Sequence, residues 1–249
     1  MREWFKDIEK PILALAPMHQ VSRSGLRQQC RSFGADATFS EMVAAEAVIR
    51  HVPQTFEMMR FTERERPFIV QIFGNKPEIM AQAAKLIEKE INPDGIDINF
   101  GCPVQKAEKQ GFGSCQLKDP VAAGKIVKAV SKVLENIPLS VKIRIPSNDL
   151  EYSLGFVKAV YANGAKLISV HGRTPTQKYG GVADWNFAYE VKKKFPDLIV
   201  LGNGDIKTLD NLKEKLGNLD GAMIGRAAKI RPEVFVKLSS IKSNRRHVG

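Results

Sequence analysis

Short apolar runs of strand length recur along the chain and alternate with longer stretches of helical periodicity. The eight runs are PILALAP (11–17), ATFSEMV (37–43), PFIVQIFG (67–74), GIDINFG (95–101), LSVKIRI (139–145), AKLISVHG (165–172), LIVLGNG (198–204) and GAMIGR (221–226). Helix-like segments lie between most of them, for example 77–91, 119–134 and 208–216. Eight alternating β/α units predict an α/β fold, a (β/α)8 TIM barrel. A doubly wound parallel sheet is the alternative architecture.

No linker or low-complexity segment divides the sequence, so we expect a single domain. We assign residues 1–235 to a catalytic barrel and residues 236–249 to a short basic tail. The tail contains Lys237, Lys242, Arg245 and Arg246. We expect it either to be a frayed, solvated end or to contact phosphates. Asp119, directly before a proline, predicts the N-cap of a helix.

The chain of 249 residues carries 38 basic and 27 acidic residues, which gives a net charge of +11. This excess favours a polyanionic partner such as a nucleic acid, although a merely basic enzyme is the alternative. Three cysteines without framework spacing indicate a reducing cytosol, and no Cys/His spacing predicts a metal site. The amino terminus lacks the apolar region of a signal peptide, and no apolar stretch could span a bilayer. We therefore expect a soluble cytoplasmic protein with no membrane contact.

Five consecutive predicted strands carry polar residues near their carboxyl ends. These residues are Gln71, Asp97 and Asn99, Lys142 and Arg144, Ser169 and His171, and Asn203. Side chains alternate along a strand, and active sites of TIM barrels lie at this end. Five converging polar strand ends are difficult to explain by packing, so the pattern predicts an active site there.

Glycines follow the last two predicted strands, in Gly202-Asn203-Gly204-Asp205 and in Gly225-Arg226. Such loops often bind phosphate in TIM barrels, because glycine lets backbone N–H groups approach the ligand. A plain tight turn is the alternative at both places. No glycine-rich fingerprint of a Rossmann dinucleotide site follows a strand.

Two of the polar strand-end residues have alternative interpretations, and two cysteines are interpreted from their positions. Lys142 is either an interior cation paired with Asp97 or a cation that stabilises a negatively charged ring, such as a reduced flavin. His171 is either structural or functional, and Arg173 two residues later favours function. Cys102 follows a strand, between glycine and proline, where a thiol can do chemistry. Cys30 lies in a helix-like segment and is expected to be buried packing.

Motifs along almost the whole chain resemble the dihydrouridine synthase family. In order from about residue 12 to 235 they are LAPMHQVSRSGLRQQCRSFGADATFSEMV, VQIFG, DINFGCPV, GFGSCQLKDP, VKIRI, VHGRT, ADW, GNGDI and MIGRAA. The resemblance implies an FMN-binding TIM barrel that reduces the C5=C6 double bond of uracil in RNA, with tRNA as the expected RNA. It also implies NADPH as the source of electrons.

The resemblance implies roles for individual residues. The implied FMN contacts are Pro17, Met18, Gln71, Lys142, His171, Asn203, Gly204, Gly225 and Arg226. Asn99, Arg144 and Arg173 would hold the uridine, and Tyr179 would stack on its base, which must leave its stacked position. Cys102 would be the general acid that gives a proton to C5 after hydride addition to C6. Cys115 lies outside the GCP motif and is expected to be structural.

The sequence departs from the family pattern in three places. His19-Gln20 follows APM, IPSNDLEYS follows KIR, and the chain stops at 249, where family members usually continue into a helical domain that grips tRNA. We therefore expect a monomer that binds RNA weakly, in a strongly salt-dependent way and with loose site choice. The alternatives are an FMN reductase or dehydrogenase for a small molecule such as a free pyrimidine, a dihydrouridine synthase for an RNA other than tRNA, and an RNA-binding protein with a lapsed site.

Overall fold

The computed structural model describes residues 3–245, and within them the apolar runs form eight parallel strands. Strands β1 to β8 span Ile12–Leu15, Ala37–Ala44, Phe68–Phe73, Gly95–Phe100, Leu139–Arg144, Leu167–His171, Ile199–Asn203 and Gly221–Ile224. Each strand pairs in parallel with the next, and β8 pairs with β1, so the sheet closes into a barrel. The (β/α)8 prediction is confirmed, and the doubly wound alternative is wrong because that sheet would remain open.

Helices lie between most of the strands. Helices α1 to α11 span Ser24–Ser32, Ala45–Ile49, Pro53–Met59, Pro77–Glu90, Gln105–Lys109, Pro120–Val133, Leu150–Ala162, Asn186–Lys194, Leu209–Leu216, Arg226–Ile230 and Val234–Arg245. Two short 3-10 helices span Glu63–Glu65 and Gly113–Lys118. Within the described part of the chain, no helix is both long enough and apolar enough to cross a membrane.

The helices expected from periodicity are α4, α6 and α9. Asp119 caps α6 as predicted, because its carboxylate accepts the N–H of Ala122 at 2.9 Å while Pro120 occupies the first helical position. Cys30 is fully buried in α1, which confirms its packing role.

The barrel interior changes from apolar to polar along the strands. Its apolar part contains Ile69, Leu167 and Leu201, in one cluster with Trp4 and Phe5. Two residues further along the same strands, and so on the same face, stand Gln71, Ser169 and Asn203. The intervening residues on the other face pack against the surrounding helices in a separate apolar core. The strands are therefore buried on both faces, and the polar side chains collect at the carboxyl end.

The carboxyl-terminal segment differs from the predicted solvated tail. Residues 236–245 belong to α11, whose Phe235, Leu238 and Ile241 are buried. The Lys242 amine lies 2.7 Å from both carboxylate oxygens of Asp36. The predicted boundary at 235 thus falls inside a helix, because apolar side chains three residues apart anchor it to the barrel. Arg246 lies outside the described residues.

Candidate active site at the carboxyl end of the barrel

A cavity of about 670 Å³ opens at the carboxyl ends of the strands. All the predicted FMN contacts line it: Pro17, Met18, Gln71, Lys142, His171, Asn203, Gly204, Gly225 and Arg226. Cys102 also lines it, as do the predicted substrate contacts Asn99, Arg144 and Tyr179. The carboxyl ends of the strands and the loops after them therefore bring these residues together, while their individual roles stay predictions.

The loop that carries Cys102 is held from the barrel interior. The side-chain oxygen of Asn99, near the end of β4, accepts the N–H of Gly101 at 3.0 Å and the N–H of Cys102 at 2.9 Å. On the other side, the Ser114 N–H donates to the carbonyl of Cys102 at 3.0 Å. Gly113 permits this approach, because its φ is +71° and a Cβ there would lie 2.7 Å from the Cys102 carbonyl oxygen. Both sides of the loop are thus fixed.

The two other cysteines lie away from the cavity wall. Cys115 donates its S–H to the carbonyl oxygen of Phe112 at 3.1 Å. Neither Cys115 nor the buried Cys30 lines the cavity. Within the described residues, no group of three or more His, Cys, Asp or Glu side chains is arranged to hold a metal ion.

Asp97 is fully buried below the cavity on β4. Its carboxylate accepts from the Gln71 side-chain amide at 2.7 Å and from the Ser140 hydroxyl at 2.6 Å. Burial raises the pKa of Asp97 to about 6, although these two hydrogen bonds and the charge of Lys142 oppose the rise. Near neutral pH the carboxylate is therefore charged, and its bonds go to two neutral side chains.

The amine of Lys142 faces the cavity without a partner. Among the described side chains, no carboxylate oxygen lies within 4.0 Å of its Nζ atom, so the alternative of a pair with Asp97 is not realised. Burial lowers the pKa of Lys142 to about 8, repulsion from Arg144 adds to this, and Asp97 and Cys102 oppose it. A cation held in a cavity wall in this way is suited to stabilise an anionic ligand.

His171, at the end of β6, has a neutral imidazole. Burial lowers its pKa to about 2, and the charges of Lys142, Arg144 and Arg173 act in the same direction against a weaker opposite effect of Asp205. Its Nδ1 atom is buried and has no hydrogen-bond partner among the described residues. An orphaned ring nitrogen in a cavity wall is costly unless a ligand or water satisfies it, so the functional interpretation of His171 is favoured.

The loop after β6 places Tyr179 at the mouth of the cavity. Its side chain is 62% exposed, and the guanidinium carbons of Arg144 and Arg226 lie 5.6 and 5.7 Å from its ring centroid. Arg144 donates to the carbonyls of Gly101 at 3.0 Å and Lys178 at 2.7 Å. Arg144 thus joins the loop that carries Cys102 to the loop that carries Tyr179.

Arg173 does not line the cavity, unlike the other predicted substrate contacts. It is 2% exposed, and its guanidinium donates to the carbonyls of Gly180 and Gly181 at 2.9 and 2.6 Å and to Asp205 at 2.8 Å. Direct contact with a substrate is therefore not supported. The guanidinium instead holds the loop that carries Tyr179, because that loop folds back over it.

Asp205 was not among the predicted site residues. Its carboxylate accepts from Arg173, from Arg226 at 2.8 Å and from the N–H of Ala183 at 2.8 Å. These donors hold the pKa of Asp205 below its usual value although burial acts in the opposite direction. The sequence signal was its place directly after the second glycine of GNGD, but the two arginines come from other loops.

Gly204 and Gly225 lie at the cavity wall, and they differ in whether the local structure requires glycine. Gly204 has a φ of +125°, and a Cβ there would lie 2.6 Å from the Cβ of Ala183, so the turn itself requires glycine. At Gly225 a Cβ would meet only ordinary contacts, 3.6 Å from Ala16 and 3.7 Å from Met18. Packing therefore does not require glycine at 225.

A second group that the sequence did not reveal lies beside the cavity. Glu41, at a bulge of β2, is nearly buried and accepts the N–H of Gln20. Its carboxylate lies 3.8 Å from His19 and 3.6 Å from Arg23. Glu41 therefore holds the loop in which this sequence departs from the family pattern.

Comparison with protein families gives a match over nearly the whole chain. A family model described as dihydrouridine synthase matches residues 14–247. A relative from Aquifex aeolicus (strain VF5), named probable tRNA-dihydrouridine synthase, is 37% identical over 234 residues, which are 92% of this chain and 73% of the relative. A relative of the same name from Mycobacterium tuberculosis (strain H37Rv) is 35% identical, with 94% of this chain and 63% of that protein covered.

A relative from Oryza sativa subsp. japonica is named tRNA-dihydrouridine(47) synthase NAD(P)(+)-like. It is 34% identical over 231 residues, which cover 91% of this chain and 34% of the rice protein. The chain thus spans about a third of this relative and just under two thirds of the mycobacterial one.

Two solved structures share the barrel fold at low sequence identity. A 2-naphthoyl-CoA reductase in complex with 2-naphthoyl-CoA has a TM-score of 0.68 at 12% identity, with 94% of this chain and 50% of that chain covered. TcOYE with pHBA has a TM-score of 0.60 at 10% identity, with 94% of both chains covered. These likenesses concern the fold.

Proposed function

The chain belongs to the dihydrouridine synthase family, and from this premise we propose that it reduces uridine in RNA to dihydrouridine with the help of bound FMN. The RNA we propose is tRNA, the substrate in the names of the relatives, and the proposed electron donor is NADPH. The observation that carries the proposal is one cavity wall that holds the Cys102 thiol near the unpaired cation of Lys142. The family membership supports the reaction, and this wall supports the assignment of the residues.

The cavity fits FMN in three respects. Lys142 presents a cation to it, and the imidazole of His171, whose buried Nδ1 atom has no hydrogen-bond partner among the described residues, belongs to the same wall. Gly225 leaves room for a ligand group such as a phosphate, because even a Cβ at this position would lie 3.6 Å from Ala16 and 3.7 Å from Met18. Gln71, Asn203 and Arg226 provide further donors, while Pro17 and Met18 form an apolar part of the wall. When bound, FMN supplies the two electrons that reduce the C5=C6 bond.

Cys102 would complete the reduction by transferring its Sγ proton to C5 of the uracil ring. A thiol suits this step because a positioned side chain of this type can act as a general acid. The hydrogen bonds from the Cys102 and Gly101 N–H groups to Asn99 fix the position of the thiol. Lys142 would favour negative charge on the uracil ring and, after proton transfer, on the sulfur.

Tyr179, Asn99 and Arg144 are the proposed substrate contacts. An exposed aromatic ring at the mouth can stack on a uracil that has left its stacked position. The guanidinium groups of Arg144 and Arg226 lie against the Tyr179 ring and keep it in place. The net charge of +11 supports an RNA substrate rather than a neutral small molecule.

The test is reconstitution with tRNA that lacks dihydrouridine. Purified protein with FMN is incubated with this tRNA and NADPH or NADH, and the digested nucleosides are quantified by mass spectrometry. We expect dihydrouridine in the wild-type reaction and little with Cys102→Ala. If the protein reduces free uridine or uracil and leaves the tRNA unchanged, the proposal is refuted and a small-molecule reductase is favoured. A protein that binds tRNA but retains no flavin would indicate an RNA-binding protein instead.

A further inference from the structure

An unbroken chain of hydrogen bonds links Asp97, below the cavity, to the backbone of Cys102. Asp97 accepts from Nε2 of Gln71 at 2.7 Å, and Oε1 of Gln71 accepts from Nδ2 of Asn99 at 2.9 Å. Oδ1 of Asn99 accepts the N–H groups of Gly101 and Cys102. Each amide side chain therefore uses its nitrogen on one side and its oxygen on the other.

The direction of this chain is set at its two ends. An ionised carboxylate can only accept, so Gln71 must turn its NH2 group toward Asp97. The backbone N–H groups of Gly101 and Cys102 can only donate, so Asn99 must turn its oxygen toward them. Only the observed orientation of both amides satisfies both ends, because the opposite orientation would place donor against donor beside Cys102.

We propose that Asp97 is a positioning residue for Cys102, acting through the amide groups of Gln71 and Asn99. The inference rests on the proposed function for its consequence in catalysis, although the geometry stands without it. The Asp97 carboxylate orients Gln71, Gln71 orients Asn99, and Asn99 holds the backbone that carries the thiol. The chain also leaves the remaining N–H of Gln71 for the cavity, so this side chain binds a ligand atom that accepts.

Three variants test the direction of the chain. Asn99→Asp keeps the oxygen that accepts from the N–H groups of Gly101 and Cys102. Its second oxygen, however, faces Oε1 of Gln71, so two acceptors meet. The Gln71 amide cannot turn to relieve this, because Asp97 holds its NH2 group. Asp97→Asn alone can keep the chain, because the oxygen of the new amide can accept from Gln71 and its NH2 group can donate to the Ser140 hydroxyl. That hydroxyl can then donate its own proton to the carbonyl of Ile96, which lies 3.3 Å away. In the double variant Asp97→Asn/Asn99→Asp, every link between positions 97 and 99 can reverse, so each nitrogen and oxygen of the chain keeps a partner. The contact from Nδ2 of Asn99 to Sδ of Met42 at 3.4 Å is lost equally in Asn99→Asp and in the double variant.

The readout is hydrogen–deuterium exchange at pH 7.5 of the amides of Gly101 and Cys102, followed by mass spectrometry of the full-length protein. We expect exchange there to be about tenfold faster in Asn99→Asp, the factor for about 1.4 kcal/mol, a hydrogen bond of ordinary net strength. In Asp97→Asn we expect a change within about twofold, and in the double variant recovery to within about threefold of wild type. Both Asn99→Asp and the double variant carry a charge at position 99, so their difference isolates the link to position 97.

An Asn99→Asp protein with wild-type protection, or a double variant no better than Asn99→Asp, would overturn the proposal. If Asn99→Asp does not fold, Gln71→Met breaks the chain without adding charge, and Ser140→Ala removes the other hydrogen bond of Asp97 as a matched control. The proposal is supported if Gln71→Met speeds exchange at Gly101 and Cys102 while Ser140→Ala does not. It is refuted if Gln71→Met and Ser140→Ala exchange at the same rate there. Dihydrouridine formation is measured in parallel. The expected exchange pattern without any dihydrouridine would refute the proposed function and leave the positioning role intact.

Discussion

Lys142→Met should stabilise the FMN-free protein at neutral pH, because wild-type folding places an unpaired cation in the barrel. Burial and repulsion from Arg144 lower the pKa of the Lys142 amine from 10.5 to about 8. The unfolded chain holds this proton with its ordinary affinity. Folding below pH 8 therefore carries a cost that methionine, of similar length and without charge, does not have.

The size and the sign of the effect follow from proton binding. Each factor of ten in proton affinity corresponds to about 1.4 kcal/mol, so the change in pKa from 10.5 to about 8 sets an upper limit of about 3.5 kcal/mol. Since the amine faces a cavity that admits water, we expect about 1–3 kcal/mol. Between pH 8 and pH 10.5 the unfolded chain binds a proton that the folded chain has lost, so the free energy of unfolding increases with pH in this window. Below pH 8 both states bind the proton and the cost is constant.

The assay is urea unfolding of FMN-free wild type and Lys142→Met at pH 7.5 and pH 10. Wild type should gain about 1–3 kcal/mol relative to the variant between these pH values, and the variant should be more stable at pH 7.5. Lys125→Met, at an exposed position of α6, is the matched control and should follow wild type. Addition of FMN should favour wild type, and Lys142→Met should slow flavin reduction by NADPH. Parallel wild-type and Lys142→Met curves between pH 7.5 and pH 10 would refute the reasoning.

Cys102→Ala should retain FMN and its reduction by NADPH, while dihydrouridine formation falls by about 10²–10⁴. Cys115→Ala should stay near wild type, and the reverse result would show that the proton donor is misassigned. Asp205→Asn should weaken FMN binding about tenfold in a flavin fluorescence titration, since Arg226 loses a charged partner; unchanged affinity would remove Asp205 from the site. Tyr179→Ala should raise KM for tRNA about 10-fold or more, whereas Tyr179→Phe should stay near wild type, because stacking needs the ring; equal losses in both would contradict stacking.

The fold could be predicted from the sequence because a closed parallel barrel buries both faces of every strand. Such strands appear as short apolar runs, and all eight are present in the structure, with ends that differ from the predicted ones by at most two residues. The polar residues of the cavity wall could also be predicted. An isolated polar side chain on an otherwise apolar strand, such as Gln71 or Asn203, has few places in this fold other than the carboxyl end of the interior.

Arg144 and Arg173 show why the rest could not be predicted. Arg144 ends β5 and Arg173 follows β6 by two residues, and a polar loop comes after each of them, so the sequence predicts a place in the cavity wall for both. Only Arg144 lines it, because the loop after β6 folds back and places the carbonyls of Gly180 and Gly181 on the guanidinium of Arg173. Loop closure depends on contacts between distant segments, and no local periodicity reports it.

The carboxyl-terminal helix is a different kind of miss. Phe235, Leu238 and Ile241 recur every three residues, which is a helical spacing that the sequence contained. The basic charge of the segment predicts a solvated tail, whereas this apolar spacing predicts the helix. The pairing of Lys242 with Asp36 shows the consequence, since that amine stabilises the helix and is not available as a phosphate contact.

The carboxylate of Asp97 and the amine of Lys142 lie inside the barrel without bonding to each other, and this separation leaves each group available for another role. If Asp97 bonded Lys142, the two charges would neutralise each other and the cavity wall would lose its available cation. The carboxylate instead receives the Gln71 amide and the Ser140 hydroxyl, which satisfy its oxygens without cancelling the lysine charge. The same bond to Gln71 starts the chain that ends at the backbone of Cys102. The neutral Gln71 amide on β3 therefore helps to keep the Lys142 cation available for an anionic ligand, and it also holds the Cys102 thiol beside that cation. The stability lost at Lys142 is the physical consequence of this arrangement.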